Sequence, residues 1–434
     1  MFSVFDKRYS KLEFSCILGI IIYRILLDFV YFKGVTPIFG YSGFYTNFNL
    51  GKYITSWLIL FIIIPFVISL YKATFISSII LITLTLLSYI PFTTMVAFHS
   101  YTIGFIISNI IYWLSIFICY VLFPNLKFKS VKSDKLTYLI INIILFLFLI
   151  TVLYISFRYT GFRLTLDLFN VYDLRSEASS FNLPIIIGYI YSASKAINPV
   201  LLVYFLSKKN YTTTVIIFFV QLLSFSINGS KTVLFTTFLA VLLYWFYNNK
   251  LKYKLPWFLS IICLLGILEL YIYKTYFIVA FFIRRVMFVP NLLHYYYYDF
   301  FSRNTPDYFR QSFLRHFGFE TPYTPIDNLI GAVYFNKPDM GANNGLFSDA
   351  FANFGFIGLV LMPLIIVVTL KIFDGCTEGL NLKILIVSGI TISIIFISSF
   401  YFTVLLTHGF IALCIMLYLL PRKTDLKIGL KTYS

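Results

Sequence analysis

Runs of apolar residues long enough to cross a lipid bilayer recur from one end of this chain to the other, and no other feature constrains its fold as strongly. A helix needs about 20 predominantly apolar residues to span the hydrocarbon. Such runs occupy 14–32, 54–71, 75–92, 102–122, 137–157, 183–206, 212–229, 231–248, 256–276, 346–370, 382–400 and 402–420. The seventh and eighth are divided only by Asn228-Gly229-Ser230-Lys231, and the last two are nearly continuous. Of the 434 residues, 60% are hydrophobic and 12% charged, against about 45–50% and about 25% in soluble proteins. Water offers no place for that much apolar surface. The expected fold is an all-α polytopic membrane protein of about twelve transmembrane helices, because a helix satisfies its backbone polar groups within its own segment.

The formal charge is +17. No basic stripe or nucleic-acid motif accompanies it, so nucleic acid is not an expected partner. The charge instead follows the rule that Lys and Arg hold cytoplasmic loops in place. Lys7, Arg8 and Lys11 fall in one loop, and Lys127, Lys129, Lys132 and Lys135 in another. Lys208 and Lys209, then Lys250, Lys252 and Lys254, then Arg422, Lys423, Lys427 and Lys431 follow in alternate loops. With twelve spans these all lie on one side, and both termini are cytoplasmic. The opposite side carries its charge mainly as arginine: Arg158, Arg163, Arg175, Arg284, Arg285, Arg303, Arg310 and Arg315. A guanidinium grips phosphate or carboxylate with two parallel hydrogen bonds, which an ammonium does not. An arginine-rich outer face points to an anionic substrate. The alternative is that these arginines pair with Asp167, Asp173, Glu177, Asp299, Asp307 and Asp327.

Two outer loops are long, 158–181 and 277–345, the second lying between the ninth and tenth spans. Loops of that length are usually functional or disordered, and the Tyr, Phe, Arg and Pro content of the second argues against disorder. Residues 282–303 are expected to form short helices interrupted at Pro290 and lying along the membrane surface. No repeat divides the chain, so a single integral membrane domain over 1–434 is expected, with 277–345 as a large extracytoplasmic loop within it.

Cys16, Cys119, Cys263, Cys376 and Cys414 are dispersed, mostly in apolar runs, which argues against a disulfide framework and a zinc site. The first apolar run is too long for a signal-peptide core and lacks a small-residue cleavage site after it. There is no Walker loop, no Asp-x-Asp pair, no HExxH and no GxSxG. Neither a metal nor another cofactor is expected.

The segment 284–301 (Arg-Arg-Val-Met-Phe-Val-Pro-Asn-Leu-Leu-His-Tyr-Tyr-Tyr-Tyr-Asp-Phe-Phe) resembles part of the bacterial O-antigen polymerases, the Wzy-type oligosaccharide repeat-unit polymerases. So does 341–358 (Gly-Ala-Asn-Asn-Gly-Leu-Phe-Ser-Asp-Ala-Phe-Ala-Asn-Phe-Gly-Phe-Ile-Gly). Fainter similarities lie at 171–175, 228–231 and 405–409. The resemblance implies a glycosyltransferase of the bacterial plasma (inner) membrane. In its reaction a growing glycan on undecaprenyl diphosphate is transferred to one repeat unit on the same carrier, and the carrier diphosphate leaves. It implies undecaprenyl-diphosphate-linked glycans and the lipid bilayer as partners, with a chain-length regulator and a flippase as further candidates. The product is O-antigen or a related surface polysaccharide.

Preorganised arginines can stabilise a leaving diphosphate without a metal. On this reading Arg284 and Arg285 are the first candidates, with Arg158, Arg163 and Arg175 as helpers. Asp349, at the start of the tenth span, is the candidate base for the acceptor hydroxyl, or else an anion placed at the positive end of a helix. Lys195 lies near mid-span before Asn198-Pro199 and either meets a lipid phosphate or pairs with Glu269 or Asp28. Tyr297 and Tyr298 either stack on sugar rings or belong, with Tyr295 and Tyr296, to an interfacial belt. Arg24 and Asp28, one helical turn apart, are expected to neutralise each other. His294 and His316 are read as incidental.

The related O-antigen ligases carry His followed by Asn, Ser or Gln, then nine residues, then GxxG. Counting back from Gly355 and Gly358 puts Asn344 at the histidine place, which disfavours a ligase and makes Asn344 a substrate-binding candidate. A lipid-linked oligosaccharide flippase or other transporter is the alternative from another class. It is expected to show two matching halves, and no half-to-half echo is present.

Overall fold

The computed structural model describes residues 7–129, 134–166, 171–246 and 251–422, so expectations placed on Lys132, Asp167, Lys250, Lys423, Lys427 and Lys431 lie outside the described residues. Among the described residues every regular element is helical and no strand occurs. Nine of these helices are long and apolar enough to cross a membrane: Lys11–Ser42, Leu50–Lys72, Ile76–Phe98, Ile103–Leu122, Lys135–Thr160, Ile185–Ser207, Tyr211–Asn228, Leu251–Tyr273 and Phe347–Thr377. Lys231–Trp245, Ile326–Phe335, Leu382–Ser398 and Phe410–Leu419 are shorter apolar helices. This is an all-helical membrane protein. The first span outruns its apolar stretch because a π turn at Tyr31–Val35 and short helices carry it to Ser42, where Gly43 at φ +92° ends it.

The chain forms two compact units, each drawn from separate stretches of sequence. The first comprises Met1–Pro124, Lys250–Lys371 and Phe396–Tyr401. Its Ile76–Phe98 helix is buried along the whole of its most apolar window. That follows from its sequence, which is apolar or small-polar on every face, so no side prefers lipid to protein. Against it stands the Lys7–Val30 helix, whose Arg24 is fully buried. Arg24 is ion-paired with Asp28, and its Nε and Nη2 donate to Thr93 Oγ1, Ser56 Oγ and the Thr93 carbonyl at 2.9 Å each. Five donors on one guanidinium are what allow a charge to sit there.

Residues 277–301 pack into this unit. Val279–Phe288 is a ten-residue π-helix, followed directly by the α-helix Val289–Phe301. Pro290 stands in the first turn of that helix, where its missing N–H costs nothing. It starts the helix and does not break it. Leu292, Leu293, His294, Tyr297 and Phe301 are buried, so the helix is packed into the unit and does not lie on its surface. The Glu269 carboxylate caps the segment ahead of it, accepting from the backbone N–H groups of Phe277 and Ile278 at 2.6 and 2.7 Å.

The second unit comprises Asn125–Asn249, Ile372–Ile395 and Phe402–Ser434. Ile185–Ser207 is its centre and packs on Tyr211–Asn228, Lys231–Trp245 and Asp134–Ile155. Asn198 donates to Gln221 at 3.1 Å and Tyr191 to the Ser224 carbonyl at 2.8 Å, so polar groups tie these helices together within the apolar packing. All five cysteines are free.

Candidate functional site

In the first unit the two segments 284–301 and 341–358 pack against each other. Asn344 Nδ2 donates to the Pro290 carbonyl and to Ser348 Oγ, both at 2.8 Å. The Ser348 hydroxyl also lies within hydrogen-bond distance of His294 Nδ1, at 3.2 Å. Burial pushes the His294 imidazole down to about 3, so it is neutral at neutral pH. Tyr297 is fully buried and donates to the Ala342 carbonyl at 3.2 Å. Tyr298 is half-buried, with its ring 4.9 Å from Phe351. Tyr296 stacks on Tyr334 at 4.4 Å, and Tyr295 packs on Tyr101. All four tyrosines of the run therefore find aromatic or polar partners inside the unit.

Gly345 is required where it stands. A side chain there would collide with the carbonyl oxygens of Phe396 and Ser399, which approach its backbone directly. This closeness brings the Phe396–Tyr401 segment over Asp349. The Tyr401 backbone N–H donates to Asp349 Oδ2 at 2.6 Å, and Asn353 Nδ2 donates to Oδ1 at 2.7 Å. Asp349 is 2% exposed. Both of its oxygens are therefore occupied by donors of the protein itself. Asn353 continues the chain of contacts: its Oδ1 accepts from the Phe309 backbone N–H at 2.8 Å. Two residues on, the helix breaks at Gly355, with φ +55° and ψ −135°, a conformation open to glycine alone.

Arg284 and Arg285 lie in the π-helix Val279–Phe288, a geometry that is rare and recurs at functional sites. Arg284 is half-buried with its guanidinium 4.3 Å from the Phe39 ring, and Arg285 is exposed. Of the other arginines of this unit expected on the outer side, Arg303 pairs with Asp299 at 2.7 Å and Arg310 approaches Asp307 at 4.0 Å.

In the second unit Arg163 pairs with Glu177 at 2.6 Å, and Arg158 lies 5.7 Å from the Tyr159 ring in another π turn, Ser156–Thr160. Arg175 is exposed on the helix Val171–Ser179. That helix is seated by Gly229, whose α-carbon lies against Val171 and Leu174. Lys195 is within electrostatic reach of Arg175 and His408. Both acids expected as its partners are taken by neighbours of their own, Asp28 by Arg24 and Glu269 by Thr275 and two backbone amides. No carboxylate among the described residues forms an ion pair with Lys195.

Sequence reasoning set His294 aside and did not single out Ser348 or Asn353. The signal was available for Asn353, which stands four residues after Asp349 and so on the same helix face. His294 and Ser348 are 54 residues apart, and nothing short of the packing joins them. No protein-family model, no curated protein and no solved structure matches this chain.

Proposed function

We propose that this chain is a membrane glycosyltransferase that polymerises lipid-diphosphate-linked oligosaccharide repeat units on the outer face of a bacterial plasma membrane. One observation carries the reading. The two segments that resemble the O-antigen polymerases, 284–301 and 341–358, form one buried polar cluster through Asn344–Pro290, His294–Ser348 and Tyr297–Ala342. The fainter segments 171–175, 228–231 and 405–409 gather likewise near Lys195 in the second unit.

Outside the cytoplasm no nucleotide-sugar is at hand, so the donor is membrane-borne. The acceptor hydroxyl attacks the anomeric carbon, the bond to the diphosphate oxygen breaks, and the diphosphate departs with its electron pair. Arg284 and Arg285 neutralise that charge. Asp349 receives the hydroxyl proton, which requires one of its two hydrogen bonds to open first. Arg158, Arg175 and Lys195 serve the second carrier diphosphate. In this reading Lys231–Trp245, Leu382–Ser398 and Phe410–Leu419 join the nine longer helices to make twelve spans, both termini are cytoplasmic and 277–345 is external.

A second reading, an O-antigen ligase, is favoured by His294, which lies 3.3 Å from Asn344 at the place where a ligase carries its histidine. Deleting the gene and running the surface glycan on a gel separates the readings. A lost polymerase leaves single repeat units on the core, a lost ligase leaves bare core, and a lost flippase leaves units trapped inside. Lysine at 284 or 285 keeps the charge but not the two-pronged grip. Arg284→Lys and Arg285→Lys are each expected to lose most chain extension at normal protein level, and full activity in both removes these residues from the mechanism. Reporter fusions after Lys135, Lys209, Lys254 and Lys383 are expected to report cytoplasm, and those after Arg175 and Asp327 the outside. A cytoplasmic signal at Asp327 overturns the scheme.

A further inference from the structure

Residues 306–326 of the first unit enclose an open cleft of about 610 Å3, lined by Arg310, Gln311, Arg315, Phe319, Glu320 and Tyr323 among others. That volume is in the range of small-ligand sites. Its walls are built before any ligand arrives. Asp307, 1% exposed, accepts from the Gln311 backbone N–H at 2.8 Å and from the Thr321 hydroxyl. Gln311 spends its whole amide on the frame: Nε2 donates to the Thr324 carbonyl at 2.7 Å, and Oε1 accepts from the Ile326 N–H at 3.0 Å. The Tyr323 hydroxyl is pinned to the Thr305 carbonyl at 2.6 Å, and its ring stands edge-on to Phe300 and Phe301.

The frame is also anchored to the polar cluster described above. The N–H groups of Asp307 and Tyr308 donate to the carbonyls of Ala352 and Asn353 at 2.8 and 3.1 Å. Tyr308 and Phe309 both hold positive φ, +55° and +61°. Two consecutive left-handed non-glycine residues are costly and persist where the surroundings over-determine them. Asn353, through its Oδ1 to the Phe309 N–H, supplies that restraint on one side and holds Asp349 on the other.

The groups left facing the cleft are cationic and aromatic. Arg310 is fixed by donating to the Asp307 and Pro306 carbonyls at 2.8 and 3.0 Å. Arg315 is exposed, and no acid among the described residues forms an ion pair with it. Glu320 is the one acid among the lining residues, and Asp307 stands 4.0 Å behind Arg310. Aromatic residues and an arginine lining one cleft suit a pyranose bearing a carboxylate: an aromatic ring can take the apolar face of the sugar, and a guanidinium can take the carboxylate in two-pronged fashion.

We propose that this cleft is a subsite for an acidic sugar of the glycan, held by Arg315 against the Tyr323 and Phe319 side of the cleft. The proposal rests on the reading of the chain as a glycan polymerase, and it is tested apart from that reading, on the purified full-length protein. Binding of a galacturonic acid tetramer, a neutral glucose tetramer and inorganic phosphate is measured by calorimetry in detergent. The acidic tetramer is expected to bind at least tenfold more tightly than the neutral one. Arg315→Gln is expected to abolish that preference, and Arg315→Lys to restore part of it, with unchanged gel-filtration profiles. Equal binding of both tetramers, or an unchanged preference in Arg315→Gln, overturns the proposal. Inorganic phosphate that displaces the acidic tetramer at equal concentration makes this a phosphate site and overturns it as well. If the purified protein passes but the deletion strain keeps long glycan chains, the polymerase reading fails while the sugar subsite stands.

Discussion

The two units differ in how three of their buried charges are met. In the first, Arg24 is met by Asp28, Thr93 and Ser56, and Asp349 by Tyr401 and Asn353. In the second, Lys195 has Arg175 and His408 as electrostatic neighbours, and no carboxylate among the described residues forms an ion pair with it. An intramembrane charge that the protein does not answer is costly unless water or a ligand answers it. Under the proposed function, the first region holds geometry and the second offers positive charge to the carrier diphosphate.

Four substitutions break or sharpen this contrast. Arg24→Met leaves Asp28 as an uncompensated buried carboxylate, which costs about 3–5 kcal/mol. A thermal melt of the purified variant is expected to show the largest loss of any single change in the first unit, and an unchanged melt denies that the pair is buried. Asp349→Asn comes next. An asparagine has one acceptor where the carboxylate has two, so either the Tyr401 N–H or Asn353 Nδ2 then faces another donor. That costs about 1–3 kcal/mol, more than the loss expected from a simple helix-end charge. If Asp349 also takes the acceptor proton, chain extension falls about a hundredfold or more at matched folded protein. Normal extension with a lowered melt leaves it only the clamping role.

Lys195→Met tests the other unit and carries the opposite sign. Removing an unanswered cation from a span is expected to raise the melting free energy by about 1 kcal/mol while shortening the glycan chains. A destabilised Lys195→Met variant shows instead that the amine is held by the protein. Smallest is Arg163→Gln. Its partner is Glu177, and both side chains are more than a third exposed. Exposed pairs contribute about 0–1 kcal/mol, so stability is expected to change by less than that. A large loss of chain extension here returns Arg163 to the carrier-binding set.

Much of the site was visible in the sequence as segments and very little as contacts. The motif 341–358 contains Asn344, Gly345, Asp349, Asn353 and Gly355, and each has a definite job. The jobs are not readable from the motif. The expectation that Asp349 sits at a helix start was sound, since Phe347–Thr377 begins two residues before it. What occupies its oxygens comes from Tyr401, 52 residues away. Likewise Arg163 and Arg284 are both arginines expected from the sequence to lie in outer loops. Only the fold distinguishes one paired with Glu177 from one set in a π-helix over Phe39.

The sequence by itself determined that this is a helical membrane protein. The reason is one-dimensional: bilayer thickness sets the length of an apolar run, and lipid forces each run to satisfy its own backbone. It did not determine how far each helix extends, because π turns such as Tyr31–Val35 and a cap such as Gly43 add turns that hydropathy does not register. Only the tertiary structure decided that 277–301 folds inward, that Asp349 is clamped, and that Asn353 joins it to the arginine-lined cleft. Those outcomes depend on which helix faces meet, and such meetings join residues some fifty positions apart whose types alone carry no record of the partner.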